Sequence, residues 1–225
     1  MTISTILPFR DRAEAGRRLA LALDSYRDDD CLILALPRGG VPVAAAVADA
    51  LGAPLDLLLV RKIGAPFHPE LAIGAVVDGA TPIVVRNEEV IRASGTAEAD
   101  FRTICARELA EIERRRREYL KGREPLDPKN RVAIVIDDGI ATGATVRAAL
   151  RAVRRRGPKK LVLAIPVAPA EALAELRAEA DDIVCLATPE PFGAVGYFYE
   201  QFDQVSDAEV SELLTREHTA AASGR

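Results

Sequence analysis

Short apolar runs alternate along this chain with segments of helical periodicity, and that alternation restricts the fold more than any other feature. Cys31–Leu36 (CLILAL), Leu55–Val60 (LDLLLV), Val132–Ile136, Leu161–Ile165 and Ile183–Leu186 read as strands. Several are apolar at every position, as strands covered on both faces are. Val41–Leu51, Thr145–Arg156 and Glu171–Ala180 read as helices between them. An earlier helix starts at Asp11, with Glu14 at the capping-box spacing and Asp in place of Ser or Thr. The pattern predicts an α/β fold with a doubly wound, mostly parallel sheet. A chain of 225 residues has ample material for its core, as one large domain or two small ones.

One segment breaks the alternation. Ala72–Val77 and Pro82–Val85 flank Asp78-Gly79, a hairpin signal. Ala97–Leu120 then reads as one long helix, with Phe101, Ile104, Cys105, Leu109, Ile112 and Tyr119 on a single stripe. The basic run Arg114–Arg117 reads as a solvated face balanced by Glu108, Glu111, Glu113 and Glu118. With a net charge of −4, nothing global draws the chain to nucleic acid or an anionic membrane. No apolar stretch approaches the ~20 residues of a membrane helix, and Arg10, Asp11 and Arg12 interrupt any leader-like start. Cys31, Cys105 and Cys185 read as buried reduced thiols, and His68 and His218 are too few for a histidine metal site. A cytoplasmic location is expected.

The chemistry concentrates where strands end, because ligands of open parallel sheets bind beyond the carboxyl edge. The stretch VAIVIDDGIATGAT, residues 132–145, runs five apolar residues into Asp137 and Asp138, then a small turn. Gly143 permits close backbone approach, Thr142 and Thr145 bring hydroxyls, and the following helix adds the positive end of its dipole. A phosphate suits this turn, although no Gly-Lys-Ser/Thr of an ATP-type loop is present. Carboxylates would repel that phosphate; they suit sugar hydroxyls one group away, or a divalent cation, held directly or through water. The combination points to a ribose 5-phosphate unit. Arg38, Gly39 and Gly40 follow Cys31–Leu36 and offer a guanidinium fork and open amides. Arg61 and Lys62 follow Leu55–Val60 as a third anion-friendly segment at the same edge.

VAIVIDDGIATGAT resembles the signature of the type I phosphoribosyltransferases: hydrophobics, two acids, then Thr-Gly-x-Thr. The likeness extends over roughly residues 30 to 190. FRDRAEAG, LPRGGVPVA, VRKIGAPFHPELAIGAV and TPEPFGAVGYFYEQFDQVSDAEV are similar to a bacterial subgroup of that family.

The resemblance implies a Mg2+-dependent transferase of nucleotide metabolism that moves the 5-phosphoribosyl group of phosphoribosyl pyrophosphate (PRPP) to a nitrogenous acceptor, releasing pyrophosphate. Asp137 and Asp138 would bind the ribose hydroxyls, and any metal indirectly through those hydroxyls or water. Ile140, Ala141, Thr142, Gly143, Ala144 and Thr145 would cradle the 5-phosphate. Arg38, Gly39 and Gly40 would form the pyrophosphate loop, where the family often carries a non-proline cis peptide. Lys62, with Arg61, would approach the pyrophosphate or the mobile loop that covers it. Ile63–Leu71 would be the lid, with Glu70 or His68 placed to carry a proton. A small hood from the N-terminal segment and about residues 187–210 would choose the acceptor, Phe192 being its substrate-binding aromatic among Tyr197, Phe198 and Tyr199. The expected organisation is a single domain over residues 1–218, core about 30–186, with a helical insertion over about 87–130 and a disordered tail at 219–225. A homodimer is expected. A PRPP-binding regulator without turnover is the alternative, and a PRPP-making kinase is disfavoured because no ATP site stands out.

Overall fold

The computed structural model describes residues 7–79 and 82–222. In chain order the elements are α1 (Arg12–Ala22), a 3-10 turn (Asp24–Tyr26), β1 (Cys31–Ala35), α2 (Gly40–Leu51), β2 (Leu55–Leu57), β3 (Val60–Ala65), β4 (His68–Val77) and β5 (Ile83–Arg86). There follow α3 (Glu88–Ser94), α4 (Glu98–Leu120), β6 (Val132–Ile136), α5 (Ala144–Arg155), β7 (Lys160–Val167), α6 (Ala170–Leu176), β8 (Asp182–Ala187), a second 3-10 turn (Val195–Phe198) and α7 (Asp207–Ala222).

The main sheet has the order β2-β1-β6-β7-β8, parallel throughout. β6 lies at its centre, with Val132, Ile134 and Ile136 facing the cluster built on α1 and α2. Ala133 and Val135 face the opposite cluster, built on α5 and α6. Side chains that alternate between two apolar layers account for the unbroken apolar run. The crossover α2 ends at Gly52, whose φ of 64° supplies the left-handed residue that stops a helix. At the start of α1, Asp11 accepts a hydrogen bond from the Glu14 amide at 2.7 Å. Glu14 reaches back to the Arg10 amide at 3.2 Å, one residue beyond the ideal capping box.

A second sheet, β3-β4-β5, is antiparallel and packs between α4 and α5. The Asp78-Gly79 signal is borne out by the pairing of Val77 with Ile83, while residues 80 and 81 lie outside the described residues. The single strand expected over Leu55–Val60 is instead two elements. β2 stops at Leu57, the Leu58 amide bonds to the Ala35 carbonyl at 2.9 Å, and the Leu59 carbonyl accepts from the Asp78 amide at 2.8 Å. The chain passes from one sheet to the other at Leu58-Leu59, so Arg61 and Lys62 lie within β3 rather than in a loop at the parallel edge.

Helix α4 buries Phe101, Cys105, Ile112 and Tyr119, with Ile104 and Leu109 packed partly against the core. Arg114–Arg117 pair with Glu111, Glu113, Glu118 and Glu124 on an ordinary charged face. Glu108 departs from that face: it is buried, held by Arg61 at 2.8 Å and Arg107 at 3.0 Å. Helix α7, which the sequence pattern did not reveal, packs on α2 and α4 through Val210 and Leu214. It takes in residues 219–222 of the expected disordered tail, and 223–225 lie outside the described residues. The cysteines are free thiols, and burial pushes Cys31 and Cys185 up to about 11. No helix among the described residues is long and apolar enough to cross a membrane.

Candidate active site

The site assembles where β1 and β6, neighbours in the sheet, both end. The Leu36 amide bonds to the Ile136 carbonyl at 2.9 Å, which brings the loop after β1 alongside the acids after β6. That loop makes a tight turn into α2, with a Gly40 amide bond to the Leu36 carbonyl at 3.0 Å and a cis peptide between Pro37 and Arg38. Close packing explains its two glycines. A Cβ on Gly39 would sit 2.1 Å from Asp138 Oδ2, and one on Gly40 would sit 2.7 Å from the Ile136 carbonyl oxygen. Asp207, at the start of α7, lies 3.6 Å from the Arg38 guanidinium and accepts from the Tyr119 hydroxyl at 2.5 Å. The extra helices therefore reach the loop.

Beyond the acids, the Ile140 amide bonds to the Val167 carbonyl at 3.0 Å, turning the chain over the end of β7. Gly143 has a φ of 74° and forms the N-cap of α5 without any side-chain cap, so the first amides of α5 point into the turn. Ala141, Thr142, Ala144 and Thr145 are exposed and Ile140 is buried, the pattern of a cradle anchored by one apolar residue.

The two acids differ in their surroundings. Asp138 Oδ2 accepts from Arg12 Nε at 2.8 Å, and both side chains are largely buried, at 14% and 11% exposure. The Asp138 carbonyl accepts from the Tyr199 hydroxyl at 2.6 Å. Asp137 Oδ1 accepts from the Asp138 amide at 2.9 Å. Asp137 keeps some surface open at its edge, yet burial of the carboxyl and then the adjacent Asp138 charge push it well above the usual carboxylate range. A carboxyl so placed favours a partner that brings positive charge or hydroxyl hydrogens. Among the described residues no three His, Cys, Asp or Glu side chains converge to hold a metal ion. Asp137 and Asp138 offer carboxylate oxygens, the donor type a hard cation such as Mg2+ takes.

Aromatic side chains cluster where the N-terminal segment meets the expected hood. Phe9 is fully buried with its ring tilted against Tyr199, centroids 5.4 Å apart, and the Phe9 amide bonds to the Phe198 carbonyl at 2.8 Å. Phe192 lies 5.1 Å from Phe198 and lines a cleft of about 500 Å³ with Ala141, Thr142, Pro169, Glu171 and Pro189. This cleft touches the Ile140–Thr145 turn through Ala141 and Thr142 and the aromatic cluster through Phe192. The hood residues 1–6 lie outside the described residues.

Arg38, Gly39, Gly40, Asp137, Asp138 and Ile140–Thr145 therefore converge as the sequence suggested. Arg61, Lys62 and Glu70 line a different cleft, of about 520 Å³, between the β3–β4 hairpin and α4. There Lys62 and Glu70 form an exposed ion pair of 3.0 Å. Residues that sequence reasoning missed are Arg12, Asp207, Tyr199 in its contact with Asp138, and Phe202. The RDR within FRDRAEAG is the available signal for Arg12, and by itself it marks only a charged start.

The phosphoribosyl transferase domain family matches residues 3–201. Two Mycobacterium tuberculosis proteins whose names carry the words "phosphoribosyl transferase", Rv0571c and MT0597, are 45% identical over 210 residues, 93% of this chain. The chain spans about half the length of these curated relatives, 47%. The crystal structure of TT1426 from Thermus thermophilus superposes with a TM-score of 0.82 at 40% identity, covering 93% of this chain and 99% of that one.

Proposed function

Because the chain belongs to the phosphoribosyl transferase domain family, we propose that it transfers the 5-phosphoribosyl group of PRPP to a nitrogenous acceptor, most simply a planar base, with release of pyrophosphate and with Mg2+. One observation carries this reading: the uncapped start of α5, the acid pair and the Arg38-Gly39-Gly40 loop meet at one strand edge. They would receive a phosphate, a diol and a second anionic group respectively.

Each part has a role in the displacement. The amides of Ile140–Thr145 would hold the 5-phosphate, fixing the sugar at one end. Asp137 and Asp138 would accept hydrogen bonds from the ribose hydroxyls and offset the positive charge that grows on the ring as the pyrophosphate departs. Arg38, with the amides of Gly39 and Gly40, would bind the leaving pyrophosphate, its guanidinium steadied by Asp207. Mg2+ would neutralise pyrophosphate oxygens, and Asp137 and Asp138 are the side chains that would reach it, through the ribose hydroxyls or water.

Water must be kept from a reacting sugar. The β3–β4 hairpin has Phe67 at its tip, 89% exposed, an apolar surface that closure would bury. Such closure would also carry the Lys62–Glu70 pair towards the pyrophosphate. The cleft under Phe192 is the acceptor's place, adjoining Thr142 and large enough for a base against an aromatic face.

The test is pyrophosphate release from Mg-PRPP in the presence of a pool of purine and pyrimidine bases and amines. Release that depends on an acceptor is expected. PRPP binding with no turnover for any acceptor would remove the transferase reading and leave a PRPP-binding regulator.

A further inference from the structure

We infer that Arg12 is a positioning residue for the donor site, acting through Asp138. This rests on the reading of Asp137 and Asp138 as the ribose-binding acids. The guanidinium is fixed on three sides. Nε donates to Asp138 Oδ2 at 2.8 Å, Nη1 donates to the Asp203 carbonyl at 2.8 Å, and the group lies 3.8 Å above the Phe202 ring. An arginine with both an edge bonded and a face stacked has little rotational freedom left, and only a planar cation can satisfy both contacts.

The carboxylate it holds has little freedom either. Asp138 is bounded by Gly39 on one side and by Tyr199 at its backbone carbonyl. Removing the guanidinium would leave two neighbouring carboxylates without a cation, at a place meant to receive a ligand that is itself a polyanion. Arg12 therefore does two things at once. It sets a positive charge against the second acid, lowering the net negative charge that the pair presents to the sugar. It also locks the orientation of that acid against the pyrophosphate loop. Its other contacts, Phe202 and Asp203, belong to the segment that follows the hood aromatics, so the ribose acid and the hood share one rigid contact.

A double-mutant cycle decides it, with Mg-PRPP affinity measured by calorimetry on the full chain and folding checked by circular dichroism. Arg12→Gln in the parent should weaken PRPP binding about tenfold, the size of a typical coupling between contacting groups. In an Asp138→Asn background, with no charge left to neutralise, the same change should cost less than about twofold. Arg12→Lys should recover part of the loss, restoring charge without the stacked fork. A purely structural role, holding the hood in place, would show the same loss in both backgrounds and overturn the inference. So would unchanged affinity in Arg12→Gln. If Arg12→Gln does not fold, the cycle run with Arg12→Lys answers the same question through its smaller coupling. A parent chain that fails to bind Mg-PRPP would instead overturn the donor assignment itself, and the role of Arg12 with it.

Discussion

Gly39 has no room for a side chain because an acid occupies the space. Its backbone is in the ordinary right-handed region, so the requirement comes from the neighbour alone. A methyl group there would press on Asp138 Oδ2, and either the loop or the carboxylate would have to move. Gly39→Ala is expected to weaken PRPP binding by about tenfold or more, the cost of a misplaced binding group. Calorimetry checks this, and unchanged affinity would show that loop and acid do not work as one unit. Residues such as Gly39, Asp137 and Asp138 were legible because each belongs to a local pattern: a strand end, a turn, a helix start. Arg12 was not. Its partner lies 126 residues away, and no spacing rule along the chain connects the two.

The central elements could be read from sequence because burial on both faces leaves a plain mark. Strand β6 occupies the five apolar residues that announced it. The same mark misleads where the chain changes sheet. Leu58 and Leu59 are buried like the strand residues before them, at 1% and 2% exposure, so hydrophobicity carries no sign of the break. What separates β2 from β3 is the partner of each backbone amide, and that is fixed by the rest of the fold. Helix α4 shows the reverse case, since its apolar stripe was legible while its purpose was not. Phe101 from that stripe packs against Gly74 and lies under the Arg86 guanidinium at 4.2 Å. It joins the helix to the small sheet that bears the hairpin. Phe101→Ala should lower unfolding stability by about 3 kcal/mol, as loss of a buried ring does, measured by urea denaturation. A loss under about 1 kcal/mol would mean that α4 is not anchored there.

At the scale of the molecule, the two edges of the parallel sheet are held by different means. The carboxyl edge carries the site. The opposite edge carries a polar knot in which the Tyr26 hydroxyl donates to the Asp182 carboxylate while Lys160 Nζ donates to the Tyr26 oxygen at 2.7 Å. The knot ties the turn after α1 to β7 and β8. The hydrogen bond from Tyr26, and then the Lys160 charge, hold Asp182 below its ordinary value of 3.8. A depressed carboxylate contributes stability that is complete above the unfolded-state value and is lost as pH falls through the lower folded one. Asp182→Asn should therefore melt below the parent at neutral pH, with the gap closing below about pH 4. Melting curves across the range from neutral to strongly acidic pH would check it, and a gap independent of pH would deny the linkage. The hood contact has a consequence of another kind, in the order of synthesis. Arg12 precedes every strand of the sheet, yet the carbonyl that fixes its second edge belongs to Asp203, 191 residues later. At roughly 5–20 residues per second, the ribosome makes every strand of the parallel sheet and the Ile140–Thr145 turn before this clasp can close. The clasp on Asp138 is thus completed only after the last strand, and a chain released before residue 203 would hold every strand of the sheet with Arg12 still free of its second anchor.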